Sequence, residues 1–321
     1  MKALSLKNQN LTLCNTLSQP RPASDEALLK IRLAGICGTD LALLKGYADF
    51  CGVPGHEFVA EVLAVGDGVN NDWLGKRVVA EINQWCGKCE QCLRQQYRHC
   101  QHRRVIGIRE HQGAFAEWLV VKVNSLHLIP DRIDDRQAVF IEPLAAAFRI
   151  VEQLQFHTYQ EVLLVGAGRL GQLIARVMAL QEKEIKIVAR YERQRALLQR
   201  VAASCIDETE VKPKSADVTI DATGGEPGLL LALKATRPQG VCVMKSSFPT
   251  PLITDLTQLV IDEIQLMGSR CGDFTHAIAA LEKGAIETES LIDGTCLLED
   301  YQAAFTLAQK KGAMKVLIKP R

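Results

Sequence analysis

Glu161-Val-Leu-Leu-Val-Gly166-Ala167-Gly168-Arg169-Leu170-Gly171 joins a short apolar run to three spaced glycines, and residues 172–183 continue with apolar side chains at helical spacing. A strand entering GxGxxG and leaving as a helix is the phosphate-binding turn of a dinucleotide fold. Gly166 permits the tight turn, Gly168 lets backbone amides approach a pyrophosphate, and Gly171 lets the helix lie close to the sheet. Arg169 and Leu170 fill the variable positions of that turn. The helix N-terminus adds its partial positive charge. Downstream the alternation continues. Residues 185–189 read as a strand, 191–203 as a helix, 216–224 as a strand, 228–236 as a helix and 240–246 as a strand. This pattern predicts a doubly wound parallel sheet covered by helices.

Upstream the pattern changes. Residues 28–36, 56–66, 76–82 and 113–129 are apolar or alternating runs broken by Gly, Pro, Asn and Asp. They predict a barrel-like β domain with little helix, so the chain as a whole is α/β. The tail carries two amphipathic stretches, 275–284 and 298–312, and a last strand over 314–319.

With 38 basic and 37 acidic residues among 321, the net charge of +1 gives no electrostatic case for a nucleic acid or an anionic membrane. No apolar run is long enough to span a bilayer, and the first residues lack the apolar core of a signal peptide. A cytoplasmic protein is the expectation. Of eleven cysteines, four (Cys86, Cys89, Cys92 and Cys100) fall within fifteen positions, at spacings of three, three and eight. Four thiolates complete a tetrahedral zinc shell and leave no open position, so this site is structural; a redox dithiol needs only two sulfurs. Cys14, Cys205, Cys242 and Cys296 are expected to pack as small buried hydrophobes.

Three other segments carry chemistry: Gly35-Ile-Cys37-Gly-Thr39-Asp40, Pro54-Gly-His56-Glu57 and Glu142-Pro-Leu-Ala145. Together they offer a thiolate, an imidazole and a carboxylate, three ligands of the kind a catalytic zinc uses with a fourth position open. At the end of the second dinucleotide strand, Arg190 stands where an NAD protein usually has an acid. Arginine suits a bidentate grip on a 2′-phosphate, so NADP(H) is expected over NAD(H).

The order CGTD, GHE, four-cysteine lobe, EPLA and GxGxxG resembles the zinc-dependent medium-chain dehydrogenase/reductase superfamily, nearest its alcohol, sorbitol and threonine dehydrogenases. The resemblance runs over essentially the whole chain. It implies a GroES-like β-barrel catalytic domain over 1–146 with a zinc lobe at about 84–102, a Rossmann domain over 147–271, and a return over 272–321 that completes the catalytic domain. It also implies one catalytic zinc on Cys37, His56 and Glu142, beside one structural zinc. Asp40 would orient His56, Glu57 would approach the metal transiently, and Thr39 would hold the substrate oxygen. Thr223 and Lys245 would lie at strand ends along the cofactor; lysine is unusual there, and Lys245 either caps a helix or reaches a phosphate, or else faces the nicotinamide or substrate and narrows the substrate towards an anionic or carbonyl-rich group. The implied reaction is hydride transfer between a small alcohol or its carbonyl form and the nicotinamide, in a homodimer or homotetramer. One position departs from the pattern: Ala42 replaces the histidine that often relays the substrate proton. Two rivals remain, a noncatalytic NADP(H)-binding scaffold holding only the structural zinc and a zinc-free quinone or enone reductase. Metal content separates them.

Overall fold

Alternating apolar residues build the first sheet of the computed structural model, which describes residues 1–154, 158–182, 184–201, 203–247 and 255–320. The N-terminal strands β1 (Ala3–Lys7) and β2 (Asn10–Cys14) form an antiparallel pair. They are followed by β3 (Glu26–Gly35), helix α1 (Gly38–Leu43), β4 (Glu57–Val65) and β5 (Arg77–Ala80). The short strand β6 (Asn83–Gln84), helix α2 (Glu90–Leu93) and the short strand β7 (Arg104–Val105) frame the cysteine cluster. Strands β8 (Trp118–Lys122) and β9 (Leu126–Leu128) come next. The single strand expected over 113–129 is therefore two. The hydroxyl of Ser125 donates to the Lys122 carbonyl and turns the chain, so that β8 pairs with β3 while β9 pairs with β5.

Helices α3 (Asp135–Ala138) and α4 (Ile141–Gln153) lead into the second sheet. Strand β10 (Val162–Val165) runs through the glycine turn into α5 (Arg169–Ala179), then β11 (Ile185–Val188), α6 (Glu192–Leu198) and β12 (Ala203–Ile206). Next come β13 (Ala216–Asp221), α7 (Glu226–Ala235), β14 (Thr236–Met244), α8 (Thr257–Ile261) and β15 (Gln265–Gly268). All neighbouring strands are parallel, in the order β12-β11-β10-β13-β14-β15. That is the doubly wound order of a dinucleotide-binding sheet, with ligands expected at the carboxyl strand ends. Helix α5 buries Leu173, Ile174, Val177 and Met178; each such side chain contributes about 1.5–3 kcal/mol when fully buried. The helices expected over 172–183 and 191–203 stop short, and Lys183 and Ala202 lie outside the described residues.

The tail returns to the first sheet. After α9 (Phe274–Glu282), strands β16 (Ile292–Leu297) and β17 (Lys315–Lys319) flank α10 (Tyr301–Ala308). Strand β17 pairs antiparallel with β3, giving the order β16-β17-β3-β4-β5-β9. Chain from both ends thus builds one core, in which Phe115 stacks edge-on against Phe305 at 5.9 Å. Of the scattered cysteines expected in the core, only Cys242 is fully buried; Cys14, Cys205 and Cys296 are half-exposed on sheet faces that only partly close over them.

Candidate active site and metal centres

In the lobe, tight local turns bring four sulfurs together. Cys89 Sγ lies 3.5 Å from Cys92 and 3.7 Å from Cys100, while Cys86 lies 3.6 Å from Cys100 and 4.0 Å from Cys92. Four sulfurs at tetrahedral angles around one zinc would stand about 3.8 Å apart. The donor set therefore fits zinc. Backbone amides aimed at the sulfurs, that of Cys92 foremost, pull the Cys89 thiol down to about 6, whereas burial pushes Cys92 up to about 12. Trp85 stacked on Tyr97 at 4.9 Å braces the loop. His99 and His102 are exposed and stay outside the sulfur group.

The second cluster is assembled from distant segments. Ligand atoms of Cys37, His56 and Glu57 all lie within 4.8 Å of one another. Asp40, buried on the first turn of α1, is the hub: its Oδ2 accepts from the Cys37 amide at 2.7 Å and its Oδ1 from the Gly55 amide at 3.2 Å. It therefore fixes the chain just at and before both ligands. Oδ1 also lies 3.4 Å from His56 Nδ1, yet that nitrogen is buried without an aligned hydrogen bond. Burial disfavours a charged His56, but the neighbouring Asp40 and Cys37 charges outweigh it and lift its pKa well above the ordinary value. An anionic pocket with an unsatisfied imidazole suits a bound cation. The Thr39 hydroxyl accepts from the Cys37 thiol at 3.7 Å.

Glu142, expected as the third ligand, sits half-buried on the first turn of α4, outside the group whose ligand atoms converge. Burial raises its pKa and the Glu57 charge adds to this, against the pull of His56, Lys315 and Lys245. Glu57 occupies the convergent position instead, and its Oε2 accepts a hydrogen bond from the buried ammonium of Lys315 on β17. Sequence patterning alone does not single out Lys315. Its one signal is a lysine opening the apolar strand of residues 315–319, where four of five positions are buried. Ala42, half-buried on α1, carries no group that could move a proton.

The glycine turn has the shape its sequence predicts. Gly166 adopts φ +103°, and a Cβ there would stand 2.9 Å from Thr223 Cγ2. A Cβ on Gly171 would run into the Gly166 carbonyl oxygen, whereas one on Gly168 would meet nothing within 4 Å. The open space above Gly168, at the N-cap of α5, fits a dinucleotide phosphate. Leu170 is half-buried beside it. Arg169 turns away from the turn: Nε donates to the Met314 carbonyl at 2.6 Å and Nη2 to that of Ala308, stitching α5 to the segment just before Lys315. Thr223 holds the turn after β13, its hydroxyl donating to Asp221 Oδ1 at 2.7 Å. Arg190 is exposed past the end of β11, 3.3 Å from Glu208. Lys245, after β14, donates to the carbonyls of Ala146 at 2.7 Å and Arg270 at 2.8 Å, so its ammonium braces two chain segments. Burial pulls its pKa down to about 8.

A barrel-type sheet carrying an open Cys–His–carboxylate cluster, packed on a dinucleotide fold, defines a metal-assisted nicotinamide oxidoreductase. Residues 23–131 match the alcohol dehydrogenase GroES-like domain. Over 94% of each chain, the protein is 26% identical to a sorbitol dehydrogenase of Halalkalibacterium halodurans. It superposes on a structure described as a zinc-binding dehydrogenase of Sinorhizobium meliloti bound to NADP, with TM-score 0.88, 27% identity and 99% of each chain covered. An Escherichia coli alcohol dehydrogenase complexed with NADH gives TM-score 0.89 at 27% identity and the same coverage. The chain carries the alcohol dehydrogenase GroES-like domain, is similar over nearly its whole length to zinc-binding dehydrogenases, and is a zinc-dependent oxidoreductase acting on alcohols. Among the described residues, no helix is long and apolar enough to cross a membrane.

Proposed function

We propose that this enzyme interconverts a polyol and its keto or aldehyde form using NADP(H), with one zinc at Cys37, His56 and a cleft carboxylate and a second in the four-cysteine lobe. The observation that carries the reading is the convergence of Cys37, His56 and Glu57 within 4.8 Å in an anionic pocket. Glu57 and Glu142 both adjoin the ligand site, and either carboxylate completes a thiolate–imidazole set with one position left for substrate. Bound there, zinc supplies Lewis-acid chemistry at the substrate oxygen, and the nicotinamide supplies hydride chemistry. Thr39, beside the Cys37 sulfur, orients that oxygen. Asp40 holds Cys37 and the turn before His56 in register, and Lys315 keeps Glu57 charge-paired and in place. Gly168, at the N-cap of α5, receives the pyrophosphate, Gly166 makes the tight turn, Gly171 keeps the helix close to it, and Thr223 shapes the neighbouring turn.

A polyol substrate is supported by the likeness to a sorbitol dehydrogenase. Arg190 is exposed to solvent, with Glu208 as its one ion-pair partner among the described residues, and this supports a 2′-phosphate and hence NADP(H). The domain division at 146/147 and 271/272 belongs to the same reading. Self-association as a dimer or tetramer is supported by exposed Val260, Ile261 and Leu266 beside the edge strand β15. Eleven free cysteines suit a reducing cytoplasm. Steady-state kinetics on a polyol and aldehyde panel with both cofactors tests the function. The expected result is turnover with a higher kcat/KM for NADP(H). Equal or better efficiency with NAD(H) overturns the cofactor assignment, and no turnover of any substrate by zinc-loaded protein overturns hydride transfer.

A further inference from the structure

The last strand enters the metal cleft from a segment that the dinucleotide fold holds. Residues 309–314 join α10 to β17, and Lys315 opens β17 with its ammonium on Glu57. The peptide groups on both sides of Met314 are tied down. Arg169 follows Gly168 on the first turn of α5; its Nε donates to the Met314 carbonyl at 2.6 Å and its Nη2 to the Ala308 carbonyl. The Met314 amide donates to Asp293 Oδ2 at 2.7 Å, and the Asp293 carboxylate, itself buried, pairs with Arg193 on α6. Gly312, at φ +77°, lies against Tyr191, where an added Cβ would stand 3.8 Å from the tyrosine side chain. Arg169, Tyr191 and Arg193 thus hold this segment from positions next to the glycine turn and Arg190, the places proposed to receive the cofactor.

Beyond Met314 there is no slack. Met314, Lys315 and Val316 are buried, and the Lys315 ammonium lies 5.7 Å from the centre of the buried Phe140 ring. A Cβ on Gly35, two residues before Cys37, would come within 2.9 Å of Glu57 Oε2 and 3.0 Å of Lys315 Cδ. Interiors packed this closely transmit a displacement rather than absorb it. The Met314 carbonyl and the Lys315 amide share one peptide group, so a single buried residue links Arg169 to Glu57.

We infer that Arg169 is a positioning residue for the metal cleft: through Met314 and Lys315 it sets where the Glu57 carboxylate stands, and so couples nucleotide docking at the glycine turn to metal binding. Arg193 and Asp293 hold the same segment from its other side. This rests on the reading of Cys37, His56 and a cleft carboxylate as a metal site and of Gly168 as a phosphate seat, and it adds a connection between the two. Such coupling is reciprocal: metal changes nucleotide affinity by the factor by which nucleotide changes metal affinity.

The test measures nucleotide affinity with and without the cleft zinc. The probes are ADP-ribose and its 2′-phosphate, which fill the phosphate turn and carry no nicotinamide to approach the metal. Calorimetric titrations compare fully loaded enzyme with enzyme stripped of its cleft zinc by mild chelation, the retained lobe zinc being checked by elemental analysis. The Kd of the tighter-binding probe should differ between the two forms by about fivefold or more, the lower end of ordinary coupling between sites. That ratio should fall towards one in Arg169→Gln and in Lys315→Met. Arg169→Lys, which keeps the charge and loses the fork that reaches two carbonyls, should fall between. The ratio cancels the charge that Arg169→Gln removes beside the phosphate. A purely structural arginine would lower the melting temperature on substitution and leave the ratio intact. Equal affinities in the two wild-type forms overturn the inference, as does a ratio that survives Arg169→Gln. If Arg169→Gln fails to fold, Arg169→Lys and the wild-type pair decide. Coupling in an enzyme that turns over no alcohol would keep the role of Arg169 and sink the dehydrogenase reading; turnover without coupling would do the reverse.

Discussion

The two ligand clusters of this chain are built in opposite ways. In the lobe, four cysteines within fifteen positions close on one point through local turns, and two of them are buried. In the cleft, Cys37 leaves β3, His56 leads into β4, Glu142 opens α4, and Lys315 arrives on a strand from the far end of the chain. The lobe is chemically saturated and depends on little else. The cleft is mixed, anionic and open, and its geometry depends on the core that both chain ends share. A saturated sulfur shell stabilises, whereas an open mixed shell leaves room for substrate. The softer, fully thiolate set should also hold zinc more tightly than the set with an oxygen ligand.

Substitutions can break or sharpen this contrast. The largest effect is expected from Cys100→Ser. Structural zinc contributes folding free energy on the order of 10 kcal/mol, so this variant should lose one zinc per chain and most of its folded yield, as read by elemental analysis and thermal melting. Cys37→Ser is expected to act on rate. Loss of Lewis-acid stabilisation worth several kcal/mol predicts a fall in kcat of about a thousandfold or more, with a melting temperature within a few degrees of wild type. A melting loss as large as that of Cys100→Ser would erase the distinction. A smaller, conditional effect belongs to Lys315→Met, which leaves the buried Glu57 carboxylate without its cation. Removing one partner of a buried pair costs about 3–5 kcal/mol. That cost should appear in chemical denaturation of the zinc-stripped enzyme and shrink when zinc is restored beside Glu57. Equal destabilisation in both forms would separate Glu57 from the metal.

The same contrast governs how much of the molecule is legible in its sequence. The lobe is local, so its spacing alone carries it. The glycine turn is likewise local, and Gly166 and Gly171 stand where the pattern puts them. The cleft is not local: periodicity cannot say which of two carboxylates, Glu57 or Glu142, swings towards Cys37 and His56. Nor can it show that Arg169 and Lys245 spend their charge on backbone carbonyls, because most of those acceptors, at Met314, Ala308 and Ala146, are distant in sequence. Lys315 and Asp293 are hidden for the same reason. A lone charged residue in a strand reads as solvated until the opposing surface is known.

The most direct measurement is zinc content against activity during mild chelation. The purified enzyme should contain two zinc ions per chain. Dialysis against a weak chelator should remove one of them together with the dehydrogenase activity, while the second remains and the protein stays folded. Loss of both metals at one rate, or activity that outlasts the first zinc, would contradict the assignment of a closed structural site and an open catalytic one.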